Sequence, residues 1–141
     1  MIHLEEKCRN EVINLHLFFE QWFKAEVENS EEVYSRLVNV LSDEFMLIMP
    51  TGQVSTREEL LTQLHSRYGS HKNDEIPYSI WVKNIEGRLE ENNLCLVTYE
   101  EWGKVQGKIT ARLSSALFRK KEGTPFGVEW IHVHEVFIPN E

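Results

Sequence analysis

Apolar residues recur at intervals of three and four along the first 28 residues, which is the repeat of one face of a helix. We therefore predict a helix over residues 3–28. Its apolar stripe comprises Leu4, Cys8, Val12, Leu15, Phe19, Trp22 and Phe23. A second helix is predicted from Ser30, whose side chain can cap the first turn, to about Leu41.

The pattern changes after the second helix. Phe45–Met49 is a short apolar run closed by Pro50-Thr51-Gly52, and it predicts a strand. Thr56 and Glu59 fit a capping box, so a third helix is predicted to begin there and to end near Gly69. Four long strands are then predicted, at Tyr78–Arg88, Asn93–Lys104, Lys108–Lys121 and Val128–Ile138. Helices first and an antiparallel meander last predict a single α+β domain over residues 1–141.

Several motifs in this order resemble the nuclear-transport-factor-2-like, or SnoaL-like, superfamily. They are the strand ending Phe45 to Gly52, the helix opening Arg57-Glu58-Glu59-Leu60, the segment Arg112 to Gly123, and the final strand Val128 to His134 with its His-x-His. The subgroup that the chain resembles most is the association domain of calcium/calmodulin-dependent protein kinase with its stand-alone bacterial relatives. The resemblance implies a cystatin-like cone, in which three N-terminal helices pack on a curved antiparallel sheet and enclose a pocket.

The resemblance leaves the activity open, because this superfamily includes isomerases, dehydratases, small-ligand binders and oligomerisation modules. The chain also departs from the association-domain pattern at two pocket positions. Glu100 and Ala116 match positions where that domain has arginines, and Arg112 can restore one positive charge.

Composition narrows the classes of partner. The net charge of -8 argues against a nucleic acid or an anionic membrane as partner, since both attract basic surfaces. No apolar run approaches the roughly 20 residues that span a bilayer, and the start lacks a secretory pattern. We therefore expect a cytoplasmic protein in which Cys8 and Cys95 are reduced core residues. No motif for a cofactor is present, and none is predicted.

Candidate site residues come from the alternation of side chains along strands. We predict that a polar and aromatic set faces the pocket, with Glu100, His132 and Arg112 as acid–base residues. The predicted ligand-binding residues are Trp22, Trp81, Thr98, Trp102, Ser114, Trp130 and His134. The alternatives are that Glu100 and Arg112 only pair across strands, or that these side chains belong to the core or an interface. Tyr34 and Tyr68 are further candidates for presenting a phenol to the pocket.

His132 and His134 also suggest a metal site, with Glu100 or His16 as third ligand. Because His-x-His is part of the superfamily's strand signature, where metal is not the rule, no metal is predicted.

Two functional hypotheses remain. The first is a homodimeric protein that binds an unknown small molecule, and that works as a cofactor-independent isomerase or dehydratase if it is an enzyme. The alternative is a non-catalytic association module, which the apolar side chains on the alternate face of the last strand favour.

Overall fold

The computed structural model describes residues 2–139. In this range the helices are α1 (Leu4–Phe23), α2 (Glu31–Val38) and α3 (Arg57–Ser66). The strands are β1 (Leu41–Ile48), β2 (Val54–Thr56), β3 (Ser79–Glu91), β4 (Leu94–Val105), β5 (Lys108–Lys120) and β6 (Val128–Phe137). They form one six-stranded sheet in the order β2-β1-β6-β5-β4-β3.

The predicted α+β cone is confirmed: the helices pack on one face of a curved, mostly antiparallel sheet. We call the face toward the helices the inner face and the opposite one the outer face. Among the described strands, β1 and β6 are the one pair that runs in parallel. No helix among the described residues is long and apolar enough to cross a membrane.

The helices begin where predicted and end earlier. Ser30 caps α2 by accepting a hydrogen bond from the Val33 N–H, and Thr56 with Glu59 forms the predicted capping box. α1 ends at Phe23, five residues before the predicted end, and Ala25 follows with a left-handed φ of 55°. Such a φ does not continue a right-handed helix. The first strand begins at Leu41, inside the segment predicted as helix.

The turn between β4 and β5 determines which side chains share a face. Gln106 and Gly107 have φ values of 50° and 82°, as a two-residue hairpin turn with two left-handed positions requires. This turn places Glu101 directly opposite Arg112. Directly opposed residues of an antiparallel pair lie on the same face, so Glu100 and Arg112 are on different faces.

A bulge in β6 reverses the alternation along the last strand. Leu117 pairs with His132, but the next residue of β5, Phe118, pairs with Trp130. Ile131 is therefore an extra residue in β6, and such an insertion shifts the side chains that follow it to the other face. Trp130 and Val133 both face inward as a result.

Candidate functional site

A cavity of about 220 Å³ lies between α1, α3 and the inner face of the sheet. A second cavity of about 220 Å³ shares Arg67, Tyr78, Glu101 and Arg112 with the first. Much of the first cavity's lining is apolar, and includes Leu15, Phe19, Leu37, Phe45, Leu60, Leu64, Trp130 and Val133. Together the two cavities have the size of a small-molecule site.

A buried histidine and a carboxylate meet at this cavity. His16 Nδ1 lies 2.7 Å from the Val12 carbonyl oxygen, which only accepts hydrogen bonds, so Nδ1 carries a proton. His16 Nε2 lies 2.8 Å from Glu101 Oε1. Burial lowers the pKa of His16, but the hydrogen bond and charge of Glu101 outweigh burial and leave this pKa raised. Burial raises the pKa of Glu101, and His16 with Arg112 reverses that to a net lowering. The raised pKa of His16 and the lowered pKa of Glu101 both favour an imidazolium paired with a carboxylate.

A hydrogen bond between an arginine and a second glutamate completes the polar end of the cavity. Arg112 donates from NH1 to Glu135 Oε1 over 2.9 Å, and the Glu135 side chain is only 7% exposed. Burial and the nearby charge of Glu101 raise the pKa of Glu135 despite Arg112. The pKa values of Glu101 and Glu135 are therefore displaced in opposite directions. Such a pair can supply a base and an acid to the same cavity.

Arg67 adds a further positive charge where the two cavities meet. Its side chain is exposed, and it forms no ion pair with any other described residue. Arg67 and Arg112 both line the two cavities. Their guanidinium groups are suited to bind the oxygen atoms of a carboxylate or phosphate group.

A third buried network supports the wall behind Trp130. Glu11 is fully buried and accepts hydrogen bonds from Arg36 NH2 at 2.9 Å and NH1 at 3.1 Å. The indole N–H of Trp130 donates to Glu11 Oε2 over 2.8 Å. Burial raises the pKa of Glu11 against the charge of Arg36. The network orients the Trp130 indole at the cavity.

The structure brings three of the predicted site residues to the inner face. Arg112 and Trp130 line the cavity. Ser114 is fully buried opposite Tyr99 and Glu135, and its Oγ has no hydrogen-bond partner among the described residues.

The inward placement predicted for most of the others is wrong. Because Tyr99 and Glu101 face the cavity, their neighbours along β4 point away, and the bulge turns the two β6 histidines outward. The residues on the outer face are Trp81, Thr98, Glu100, Trp102, His132 and His134. Trp22 packs in the helical core instead, 1% exposed, and its indole N–H donates to the Leu64 carbonyl over 2.9 Å.

Two further sequence hypotheses change with the structure. The phenols of Tyr34 and Tyr68 donate to the backbone carbonyls of Leu61 and Val27, so neither is free to act on a ligand. His16 lies on the other side of the sheet from the His-x-His pair and cannot share a metal ion with it. In residues 2–139 no three metal-binding side chains of the His, Cys, Asp or Glu type converge on one point.

Sequence reasoning missed Glu101 and Glu135, and it considered His16 only as a metal ligand. One available signal was the Gln106-Gly107 turn. Counting outward from a two-residue turn pairs Glu101 with Arg112 and shows that Glu100 faces away. A second signal was the position of His16, which directly follows Leu15 of the apolar stripe of α1. A polar residue at that position lies beside the buried face of the helix.

Comparison with solved structures places this architecture in the NTF2-like, cystatin-like fold, which confirms the resemblance. An NTF2-like protein of unknown function from Pseudomonas aeruginosa superposes with a TM-score of 0.81 at 16% identity, covering 94% of this chain and 99% of that one. The CaMKII hub of S. rosetta superposes with a TM-score of 0.69 at 10% identity, covering 98% of this chain and 99% of that one. At these identities the likeness shows the fold alone.

The sequence places the chain in one family of that fold. Residues 8–139 match the family described as sucrose-6-phosphate phosphohydrolase C-terminal, and the chain belongs to it. Sucrose-phosphatase 2 of Nicotiana tabacum is 26% identical over 129 residues, which are 91% of this chain. The chain spans only about 30% of the length of the curated relatives it matches.

Proposed function

We propose that this domain binds a small molecule with an apolar body and an anionic group in the cavity of the cone. The observation that carries the proposal is that an apolar wall and the guanidinium groups of Arg67 and Arg112 line the same cavity. The apolar body would replace water along the wall, and the anionic group would bind the guanidinium groups.

Glu101 and Glu135 could carry out acid–base catalysis in the same cavity. Glu101 is the ionised carboxylate and Glu135 is the carboxyl group with the raised pKa. In this proposal Glu101 removes a proton from a C–H group of the ligand, and Glu135 in its protonated form donates one. In an isomerisation that proton goes to another carbon of the ligand, and in a dehydration it goes to the departing hydroxyl group, which leaves as water. Proton exchange with solvent then restores both carboxyl groups. His16 keeps Glu101 charged and oriented.

A series of straight-chain carboxylates tests the binding step. We expect the affinity to rise from acetate to butanoate to hexanoate, because each CH₂ buried on the wall contributes about 0.8 kcal/mol, or about fourfold. Arg67→Met should lower the affinity for hexanoate about tenfold, since it removes one charge-assisted contact of about 1.5 kcal/mol. Arg88→Met is the matched control, because Arg88 is an exposed arginine on the opposite face.

Two results would overturn this proposal. One is an affinity that does not change along the series, and the other is an equal loss in the Arg67 and Arg88 variants. The family name makes sucrose 6-phosphate a necessary further probe. Because the wall is apolar, we expect it to bind more weakly than hexanoate.

A second function, association of the domain with itself, is favoured by the outer face. Leu113 and Val136 lie directly opposite each other there and are 44% and 47% exposed. Exposed apolar groups that adjoin in this way mark an interface. Solved relatives of this fold include hub and association domains. We therefore propose a homodimer through β5 and β6, and a light-scattering mass of one chain would contradict it.

A further inference from the structure

Two tryptophans stand side by side on the outer face, on strands β3 and β4. Trp81 and Trp102 are direct cross-strand partners, and their rings lie 6.4 Å apart between centroids and 16° from parallel. Both are only half-buried. A pair of nearly parallel indoles that remains partly exposed offers an aromatic surface to a ligand.

Polar groups border the indoles in a fixed arrangement. Glu100 Oε1 accepts from the Trp102 indole N–H at 2.9 Å, and Glu100 Oε2 accepts from Asn84 Nδ2 at 2.6 Å. Lys83 Nζ lies 4.3 Å from the centre of the Trp102 ring. Each carboxylate oxygen keeps room for another hydrogen bond, and Lys83 supplies donors.

The backbone of β3 is distorted at Asn84, whose side-chain amide is one of the polar groups beside the indoles. The register of β3 against β4 shifts between Lys83 and Glu86, and Asn84 has a left-handed φ of 53°. Such a conformation is uncommon outside glycine, and bulges often re-aim a side chain at a functional site. Here the bulge directs the Asn84 amide toward Glu100 beside the indoles.

From this geometry we propose that Trp81 and Trp102, bordered by Lys83, Asn84 and Glu100, form a binding surface for the ring of a neutral sugar. A pyranose ring exposes C–H groups on its faces and hydroxyl groups around its edge. The indole faces are negative and attract the polarised C–H groups. The carboxylate, amide and ammonium groups exchange hydrogen bonds with the edge hydroxyls, and Lys83 leaves the indole face to do so.

The same groups disfavour a second copy of the chain as the occupant. Lys83 and Asn84 are exposed and Glu100 is charged, because the Asn84 and Trp102 hydrogen bonds lower its pKa. Charged residues are depleted at the centre of protein interfaces, where they lose water. The apolar side chains of β5 and β6 adjoin this surface and suit a copy of the chain better.

The chain provides its own reference signals for the test. Its four tryptophans each carry one indole N–H, and those of Trp22 and Trp130 are bonded to Leu64 and Glu11 inside the protein. We would titrate ¹⁵N-labelled protein with maltose, sucrose and glucose and follow the four indole signals by NMR. We expect saturable shifts for Trp81 and Trp102 with at least one sugar, and none for Trp22 and Trp130.

Variants identify the groups responsible. Trp81→Ala should weaken binding about tenfold, the loss of one stacking partner. Asn84→Gly removes the amide while allowing the same φ, so it keeps the fold and should weaken binding several-fold. Leu89→Ala, at the far end of β3 and 59% exposed, is the control on the same face, with unchanged affinity.

Three results would overturn this inference. The first is no saturable shift with any of the three sugars. The second is a shift of Trp22 or Trp130 alone, which would place the sugar in the cone. The third is a fall of the mass to one chain in the Trp81 variant, which would make a second copy the occupant.

Discussion

The two faces of the sheet use charged residues in opposite ways. On the inner face, Glu101 and Glu135 are enclosed and each is paired with a cation. On the outer face Glu100, the chain neighbour of Glu101, accepts hydrogen bonds from neutral groups near solvent. Adjacent carboxylates therefore have different environments because consecutive side chains of a strand point to opposite faces.

This difference shows where the structure depends on pairing. An enclosed charge loses water and is stable only with its partner, whereas an outer charge keeps much of its hydration. The inner face is therefore the one in which single substitutions should have large effects on stability. The outer face should tolerate them and respond in binding or association instead.

The largest effect is expected from Glu11, the most enclosed carboxylate. Glu11→Ala leaves Arg36 without its partner and should lower the free energy of unfolding by about 3–5 kcal/mol. Urea denaturation measures this change. Glu28→Ala, an exposed carboxylate in the loop before α2, is the control and should have little effect. Recovery of stability in a Glu11→Leu/Arg36→Met double variant would show that the penalty comes from the unpaired charge.

Neighbouring carboxylates provide the most direct comparison of the two faces. Glu101→Ala leaves the buried His16 unpaired and should lower the free energy of unfolding by about 3 kcal/mol. Glu100→Ala should lower it by at most about 1 kcal/mol, since its partners remain hydrated. Equal losses in the same denaturation experiment would mean that the two faces do not differ as described.

The outer face should respond in association. We expect a homodimer for the natural chain, and Leu113→Asp should weaken it about 30-fold, because each dimer then buries unpaired carboxylates at a cost of about 2 kcal/mol or more. Sedimentation or light scattering over a concentration series measures the shift. Leu89→Asp, at the far end of β3 and 59% exposed, is the control. A dimer unaffected by the Leu113 change would place the interface elsewhere.

The smallest effect is the pH dependence of stability, whose direction follows from the raised pKa values. The folded protein holds the His16 proton more tightly than the unfolded chain, so stability should fall as the pH rises from about 6.5 through the raised pKa. The pKa values of Glu135 and Glu11 are also raised, so these residues likewise lower the stability as the pH rises above about 4.5. Glu101 acts oppositely below about 4.5, where its protonation removes stability as the pH falls.

A double variant isolates the histidine contribution. His16→Gln/Glu101→Gln leaves a neutral, hydrogen-bonding amide at both positions and removes both charges, so the decline above about pH 6.5 should flatten. Thermal denaturation across the pH range measures it. The Glu100→Gln variant is the control and should keep the natural decline. A decline that persists in the double variant would assign it to other groups.

The chain itself determines the elements and much of the fold. The three-and-four spacing of α1, the caps at Ser30 and Thr56, and the Gln106-Gly107 turn act through local geometry, which neighbouring residues contain in full. Their order predicts helices on one face of a meander, and the structure confirms it. The ends of α1 and β1 differ because backbone conformation at Ala25 and pairing of β1 with the distant β6 override the local pattern.

The face of each site residue was decided by the tertiary structure, with one exception. The turn could have shown that Glu101 and not Glu100 opposes Arg112. The bulge at Ile131 has no comparable local signal, and it separates Trp130 from His132 and His134 although their spacing predicts a common face. A strand has a period of two, so one extra residue exchanges the inward and outward sets. Which set meets the helices depends on strand pairing across the sheet, and the order of residues along one strand does not contain it.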